Sequence, residues 1–184
     1  MTSVGAVLVL LVDRYMKGLL DTTISLQEIH KLMYFMQVAG EPLHLRYSLG
    51  LNGPCAENLQ SVLLPAANLI LGYSDSDDTS DEPLSLVSGA VEDANAFLRT
   101  DQEARIRIER VSALIDGFET PFGLALLATV HWITEHSQDS HTHVDVITNT
   151  GIGSDRKRPF SPRQIDIALT TLSDKGWIRQ LSMA

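Results

Sequence analysis

The segment SLQEIHKLMYFMQVAG, residues 25–40, specifies a helix together with both of its ends. Ser25 and Glu28 have the spacing of a capping box, in which each side chain satisfies a backbone N–H at the start of the helix. Apolar residues recur at helical intervals, namely Leu26, Ile29, Leu32, Met33 and Met36. This period predicts a helix with a face in the core, and Gly40 is suited to the left-handed conformation that follows a helix end.

Upstream of this helix, an apolar run from Val4 to Val12 predicts another buried helix. Ser3 is placed to cap it, and Gly18 lies close to its expected end near Lys17. The run is too short to span a bilayer and has no basic residue ahead of it, so it fits neither a membrane anchor nor a signal sequence.

Downstream of the helix, the period of the apolar residues changes to two. Alternation over residues 43–49 predicts a half-buried strand. Asn52-Gly53-Pro54 predicts a turn, and residues 56–64 predict a helix that Pro65 interrupts. Residues 83–87 are expected to form a second short strand that returns beside the first.

The remaining sequence predicts three helices that each carry a start signal. Thr100 is the expected cap of a helix ended by Gly117, Pro121 opens a central buried helix, and Ser161-Pro162 opens the last. Residues 136–159 read as a long loop that holds a short helix. The predicted fold is a compact, mainly helical α+β domain over residues 1–184, with a short strand pair and a C-terminal helix.

The composition is that of an acidic globular protein, with 44% hydrophobic and 20% charged residues and a net charge of −9. General nucleic-acid binders gain most of their affinity from Lys and Arg at phosphates, so we expect no direct nucleic-acid contact. The single cysteine, Cys55, precludes an intramolecular disulfide. A reducing cytoplasm is the expected location.

The negative charge is concentrated in one region, because the chain between Tyr47 and Leu98 holds eight carboxylates and no lysine or arginine. Five of these carboxylates stand in GYSDSDDTSDEP, residues 72–83, which we call the acidic segment: Asp75, Asp77, Asp78, Asp81 and Glu82. Such a run repels nucleic acid and attracts a basic groove on another protein. The alternative reading is a solvated polar loop.

No catalytic or metal-binding set stands out. Among His131, His136, His141 and His143, the first two are five residues apart rather than the four that would place them on one helix face. Cys55 is expected to be a packing residue, and residues 150–154 lack the Gly-Lys-Ser/Thr ending of a phosphate-binding loop. We therefore predict no metal, no cofactor and no enzymatic activity. The basic cluster Arg156-Lys157-Arg158, with Arg163 nearby, is expected to pair with carboxylates of this domain or of a partner, and contact with nucleic acid is the alternative.

Several stretches resemble the toxin-neutralising domain of DarG-type antitoxins and, more remotely, SocA-like Panacea-type antitoxin domains. They are KLMYF at residues 31–35, GEPL at 40–43, GPCAENL at 53–59, GFETPFG at 117–123 and LLATVHW at 126–132. The resemblance covers most of the chain from about residue 25. It departs from the family at Asn52 and Cys55, where an aromatic residue is usual.

The resemblance implies a partner. DarG proteins combine an N-terminal macrodomain that removes ADP-ribose from thymidine in DNA with a C-terminal domain that binds the DarT toxin, an NAD-dependent ADP-ribosyltransferase acting on single-stranded DNA. This chain resembles only the second part. It is therefore expected to come from a longer chain with an N-terminal macrodomain, to form a 1:1 heterodimer with a DarT-like toxin, and to hold no glycohydrolase activity.

The resemblance and the acidic segment together suggest DNA mimicry. Tyr73 stands in for a base and the five carboxylates of the acidic segment stand in for phosphates in the toxin's groove. Two alternatives remain open. One is a DNA-binding transcription regulator, because the last helix followed by Gly176-Trp177-Ile178 resembles a winged-helix ending, and the other is a hydrolase that uses the histidines.

Overall fold

The computed structural model describes residues 1–73, 82–136 and 160–179, and these residues form a mainly helical α+β fold, as the sequence predicts. Its helices are α1 Ser3–Leu19, α2 Leu26–Val38, α3 Leu59–Leu63, α4 Ala90–Phe97, α5 Gln102–Ile115, α6 Pro121–His136 and α7 Pro162–Asp174. A 3-10 helix, Leu64–Leu69, continues directly from α3.

Two short antiparallel strand pairs complete the described fold. β1 (Tyr47–Gly50) pairs with β2 (Gly53–Ala56), and β3 (Ile70–Leu71) pairs with β4 (Ser85–Leu86). The predicted pairing of residues 43–49 with 83–87 is therefore wrong.

The side chain of Gln37 explains why the first strand starts late. Its Oε1 accepts from the Leu45 N–H at 2.7 Å, and its Nε2 donates to the Leu45 carbonyl at 3.0 Å. These bonds occupy the backbone groups that a neighbouring strand would need. Residues 43 and 45 consequently point buried side chains into the core without belonging to a ladder.

The predicted ends of α2 are confirmed. Ser25 Oγ accepts from the Glu28 N–H at 3.3 Å, and Glu28 Oε2 accepts from the Ser25 N–H at 2.8 Å, which completes the capping box. Gly40 has φ +103°, which only glycine adopts without strain.

Three other predicted boundaries need correction. Thr2 caps α1 in place of Ser3, and Asp101 caps α5 in place of Thr100, because each of these side chains accepts from the backbone N–H three residues on. Helix α1 continues past Gly18 to Leu19. The helix predicted over residues 56–64 is shortened because Ala56 pairs in β2.

The core is built around α1 and α6. Helix α1 packs against α4 and α5, while α6 packs against α2, α7 and β2. Residues 5–12 are buried on every side of α1, which explains its uninterrupted apolar sequence. Helix α2 is enclosed between α6 and β2, so the first strand pair covers a face that the sequence alone would assign to solvent.

None of the helices in residues 1–73, 82–136 and 160–179 has both the length and the hydropathy required to cross a membrane. The predicted loop over residues 136–159 starts too early, because α6 includes His136. Residues 137–159 lie outside the described residues.

Candidate functional site

The acidic segment enters and leaves the described structure at Tyr73 and Glu82, while Asp75, Asp77, Asp78 and Asp81 lie outside the described residues. Tyr73 is half-buried against the core, and its hydroxyl oxygen is buried. Glu82 is exposed. The aromatic ring is therefore less available to a partner than the mimicry hypothesis requires, whereas the carboxylate at the other end is accessible.

The two ends of the acidic segment are fixed at neighbouring points of the fold. Leu71 pairs with Ser85 in the β3–β4 ladder. Leu84 and Ile24 exchange two backbone hydrogen bonds of 2.8 and 2.9 Å, which tie the segment to the residue before the α2 cap. Gly72 has φ +85°, and a Cβ there would lie 2.9 Å from the Pro83 carbonyl, so the two arms approach closely.

A buried lysine on α2 is the main polar feature that sequence reasoning missed. Lys31 is 2% exposed, its Nζ donates to Gln27 Oε1 at 2.7 Å, and the Cys55 Sγ lies 3.9 Å away. Burial lowers the pKa of the Lys31 ammonium, and the neighbouring Cys55 and Glu28 only partly oppose this. Little in the sequence signals this burial, because the β1–β2 pair that covers Lys31 was not predicted.

The carboxylate of Glu28 beside this lysine is committed to other donors. Its Oε1 accepts from the Tyr15 hydroxyl at 2.5 Å, and its Oε2 accepts from the Ser25 N–H and hydroxyl at 2.8 and 2.6 Å. Burial and the adjacent carboxylate raise the pKa of Tyr15. Glu28 is thus a buried carboxyl group held in place by α1 and by the helix cap, and it forms no salt bridge with Lys31.

Lys31 and Glu28 line a cavity of about 320 Å³ at the N-terminal end of α2. We call it the Lys31 cavity. Its other walls come from the β1–β2 turn, the start of α6 and Phe160, and they comprise Ser25, Gln27, Leu51, Asn52, Pro121, Phe122, Ala125 and Phe160. The rings of Phe122 and Phe160 meet edge to face with centroids 5.3 Å apart, which gives the cavity an aromatic wall.

The hydroxyl group of Thr129 is a second buried polar group close to Lys31. Its Oγ1 is buried and has no hydrogen-bond partner among the described residues. It lies beside Gly53, where an added Cβ would be 2.9 Å from Thr129 Oγ1 and 3.6 Å from Lys31 Cε. A glycine is therefore required where the β1–β2 pair passes over α6.

The described histidines do not converge on a metal site. His131 is buried, with Nδ1 2.8 Å from the Tyr34 hydroxyl and Nε2 3.2 Å from the Trp177 carbonyl. His136 stacks on Trp132 near the end of α6. His141 and His143 lie outside the described residues, and within those residues no three His, Cys, Asp or Glu side chains come together in a metal-binding group.

Two further acidic side chains have structural partners, and two of the motifs considered in the sequence fall outside the described residues. Glu109 pairs with Arg14, and Glu119 accepts from the Gly117 N–H at 2.7 Å. Residues 150–154 and the basic cluster at 156–158 are not among the described residues. Trp177 is buried beneath the Arg110 guanidinium, and no strand follows α7 as far as residue 179.

The chain is similar to proteins named DNA ADP-ribosyl glycohydrolase. The one from Thermus aquaticus is 32% identical over 163 residues, which cover 88% of this chain and 44% of that protein. Those from Mycobacterium bovis and Mycobacterium tuberculosis are each 34% identical over 116 residues, which cover 60% of this chain and 33% of each relative. No protein-family model matches the chain.

These names correct one prediction and bear out another. Glycohydrolase is an enzymatic activity, so the prediction of a protein that is not an enzyme is wrong in the light of its relatives. The chain spans less than half the length of each of them. The resemblance found in the sequence is confirmed at the level of kinship: this chain is related to the DNA ADP-ribosyl glycohydrolases, the DarG-type proteins.

Proposed function

We propose that this chain is the toxin-binding part of a DarG-type protein and that it inhibits a DarT-type DNA ADP-ribosyltransferase by occupying the toxin's single-stranded DNA site. The observation that carries the proposal is a dense run of carboxylates whose two ends are fixed side by side by β3, β4 and the Ile24–Leu84 bridge. The sequence resemblance to DarG-type antitoxins suggests the class of partner, and the similarity to DNA ADP-ribosyl glycohydrolases is consistent with it.

The physical basis is charge complementarity. A groove that binds single-stranded DNA carries cationic side chains that follow the phosphates and aromatic side chains that stack on the bases. Carboxylates at Asp75, Asp77, Asp78, Asp81 and Glu82 can take the places of phosphates. Opposite charge on the two surfaces accelerates association and selects against neutral surfaces.

Tyr73 has a smaller part in this proposal than the carboxylates. Since its ring packs partly against the core, only part of its surface can serve as a stacking face. We expect substitution of Tyr73 to weaken toxin binding less than reversal of the neighbouring charges does.

The first experiment titrates the purified chain against a fixed concentration of toxin and measures ADP-ribosylation of a single-stranded oligonucleotide. We expect stoichiometric inhibition that excess oligonucleotide relieves, because chain and DNA compete for one groove. Absence of inhibition at saturating chain would reject the proposal, and binding of an operator duplex at physiological salt would then favour the regulator.

A charge-reversal variant tests the surface. Asp75, Asp77 and Asp78 are changed together to lysine, and the matched control changes Glu57, Asp116 and Asp174, which are exposed elsewhere on the molecule. Both variants alter the net charge equally. We expect only the first to lose inhibition. Equal inhibition of the toxin by the two variants would mean that the interface lies outside the acidic segment.

Glycohydrolase activity is a second candidate, favoured by the name of the relatives. It is measured as release of ADP-ribose from a modified oligonucleotide in the absence of toxin. Release that a Glu28→Gln variant abolishes would place the activity at the Lys31 cavity. If the chain releases none, the activity belongs to the portion of those relatives that this chain does not match.

A further inference from the structure

The Lys31 cavity has the size of a small-molecule site. Its volume of about 320 Å³ lies near the lower end of the range for ligand pockets, roughly 300–1,000 Å³. It combines an aromatic and aliphatic wall with a few polar groups at one end, which is the usual composition of such pockets. It opens between three separate parts of the chain, namely α2, the β1–β2 turn and the start of α6.

The charge balance inside the cavity indicates what it can hold. Lys31 has three N–H donors, but its described acceptors are one amide oxygen and one distant sulfur. No described carboxylate forms a salt bridge with it. Glu28 lines the same cavity, but the described bonds of its carboxylate come from Tyr15 and Ser25 rather than from Lys31. Burial alone disfavours the charged form of Lys31, and an anion that reaches its Nζ stabilises that form.

We propose that the Lys31 cavity binds a small molecule carrying one carboxylate on a flat apolar body. The carboxylate accepts from Lys31 Nζ, and the apolar body lies against Phe122 and Phe160. This inference is independent of toxin binding, since it rests on the cavity alone.

The neighbouring Glu28 selects a monoanion. A carboxylate forms one ion pair with Lys31 and adds a single negative charge to a cavity that already holds Glu28. A phosphate would bring a second negative charge close to the buried Glu28 carboxylate, where the low dielectric makes the repulsion large. A ligand without an anionic group would leave the Lys31 cation unpaired.

Benzoate is the probe, because it unites a carboxylate with a flat ring of suitable size. Ligand-observed NMR and calorimetry measure its binding to the full chain, with benzamide and benzylamine as matched neutral and cationic probes. We expect saturable binding of benzoate at concentrations up to about 10 mM, as suits a fragment of this size. Benzamide and benzylamine should bind about tenfold more weakly or not at all.

Two variants locate the binding. Lys31→Met removes the cation and should weaken benzoate binding about tenfold or more, whereas Lys17→Met, at an exposed lysine, should leave it unchanged. Phe122→Ala removes part of the aromatic wall at a side chain that is 47% exposed, so the fold is retained. It should weaken benzoate binding while Lys31 stays in place.

The proposal is overturned by any of three results: no saturable binding of benzoate, equal binding of benzamide, or full binding by both Lys31→Met and Phe122→Ala. If Lys31→Met does not fold, the Phe122→Ala result and the comparison of probes decide alone. None of these measurements involves the toxin, so their failure is distinct from failure of the proposed function.

Discussion

His131 joins three parts of the fold through one neutral ring. Its Nδ1 accepts from the Tyr34 hydroxyl on α2, and its Nε2–H donates to the Trp177 carbonyl beyond α7. A carbonyl only accepts hydrogen bonds, which fixes the proton on Nε2. Burial lowers the pKa of His131 to about 4, so the ring stays neutral in the folded protein under ordinary conditions.

This lowered pKa predicts a loss of stability in mild acid. The unfolded chain takes up a proton at His131 near its ordinary pKa of about 6.5, while the folded protein resists it, so acid favours the unfolded state. The contribution is fully present above about pH 6.5 and falls progressively towards about pH 4, by up to roughly 3 kcal/mol. Urea unfolding at about pH 7 and about pH 5 measures it.

The control is His131→Gln, whose amide can keep both hydrogen bonds but does not titrate. We expect this variant to lose less stability than the native chain between the two pH values. An identical pH dependence in both proteins would show that His131 is not the group responsible.

At the scale of the element, the two capping boxes form a natural pair for comparison. Ser25 caps α2 through Glu28, a buried carboxylate, and Ser161 caps α7 through Gln164, a neutral amide at the surface. We expect Ser161→Ala to lower the free energy of unfolding by about 1 kcal/mol. Ser25→Ala should lower it about twice as much, since it also removes the 2.6 Å hydrogen bond from Ser25 Oγ to the Glu28 carboxylate.

Denaturant unfolding of the two variants measures this difference. Equal losses in the free energy of unfolding would mean that the hydrogen bond from Ser25 Oγ to Glu28 adds no stability beyond that of an ordinary helix cap. A larger loss for Ser161→Ala would contradict the argument outright.

The β1–β2 pair depends on Gly53, and alanine substitution tests this contact. Gly53 and Gly89 both have positive φ, +97° and +84°, so alanine strains the backbone at either site by about 1–2 kcal/mol. Only at Gly53 does the new Cβ also meet another atom, Thr129 Oγ1 at 2.9 Å. We expect Gly53→Ala to lower the thermal stability clearly more than Gly89→Ala does. Similar losses of stability would mean that α6 shifts enough to accommodate the new Cβ at little cost.

The sequence predicted those parts of the fold whose signals are local. The α2 capping box, the proline start of α6 and the helical class all depend on residues within a few positions of one another. The β1–β2 pair was missed because Gly53-Pro54 reads as a turn, and its role as a strand depends on packing against α2 and α6.

The same dependence on packing explains the missed cavity. Lys31 follows His30 on the side of α2 that an amphipathic pattern assigns to water, and only the covering strand pair makes it a buried cation. The acidic segment, in contrast, can be recognised from the sequence composition alone. Only the structure shows that its two ends are held at neighbouring points of the fold.

At the scale of the whole molecule, the net charge of −9 predicts that the proposed toxin binding depends on salt. Exposed charges are screened over about 8–10 Å at physiological ionic strength, so raising the salt concentration should slow association with a basic groove. Stopped-flow or surface-based kinetics measure this rate, with the Asp75, Asp77 and Asp78 reversal as the variant that loses the dependence. A rate that is insensitive to salt would indicate an apolar interface instead.

The pairing of Ile24 with Leu84 has a consequence for how such a protein can change over time. Because the ends of the acidic segment already meet, lengthening the intervening chain adds little entropic penalty, about 0.6 kcal/mol for a doubling. Insertions, deletions and exchanges between residues 73 and 82 should therefore leave folding almost untouched. Under the proposed function, substitutions at positions 74–81 can change which toxin is bound while the buried core stays constant.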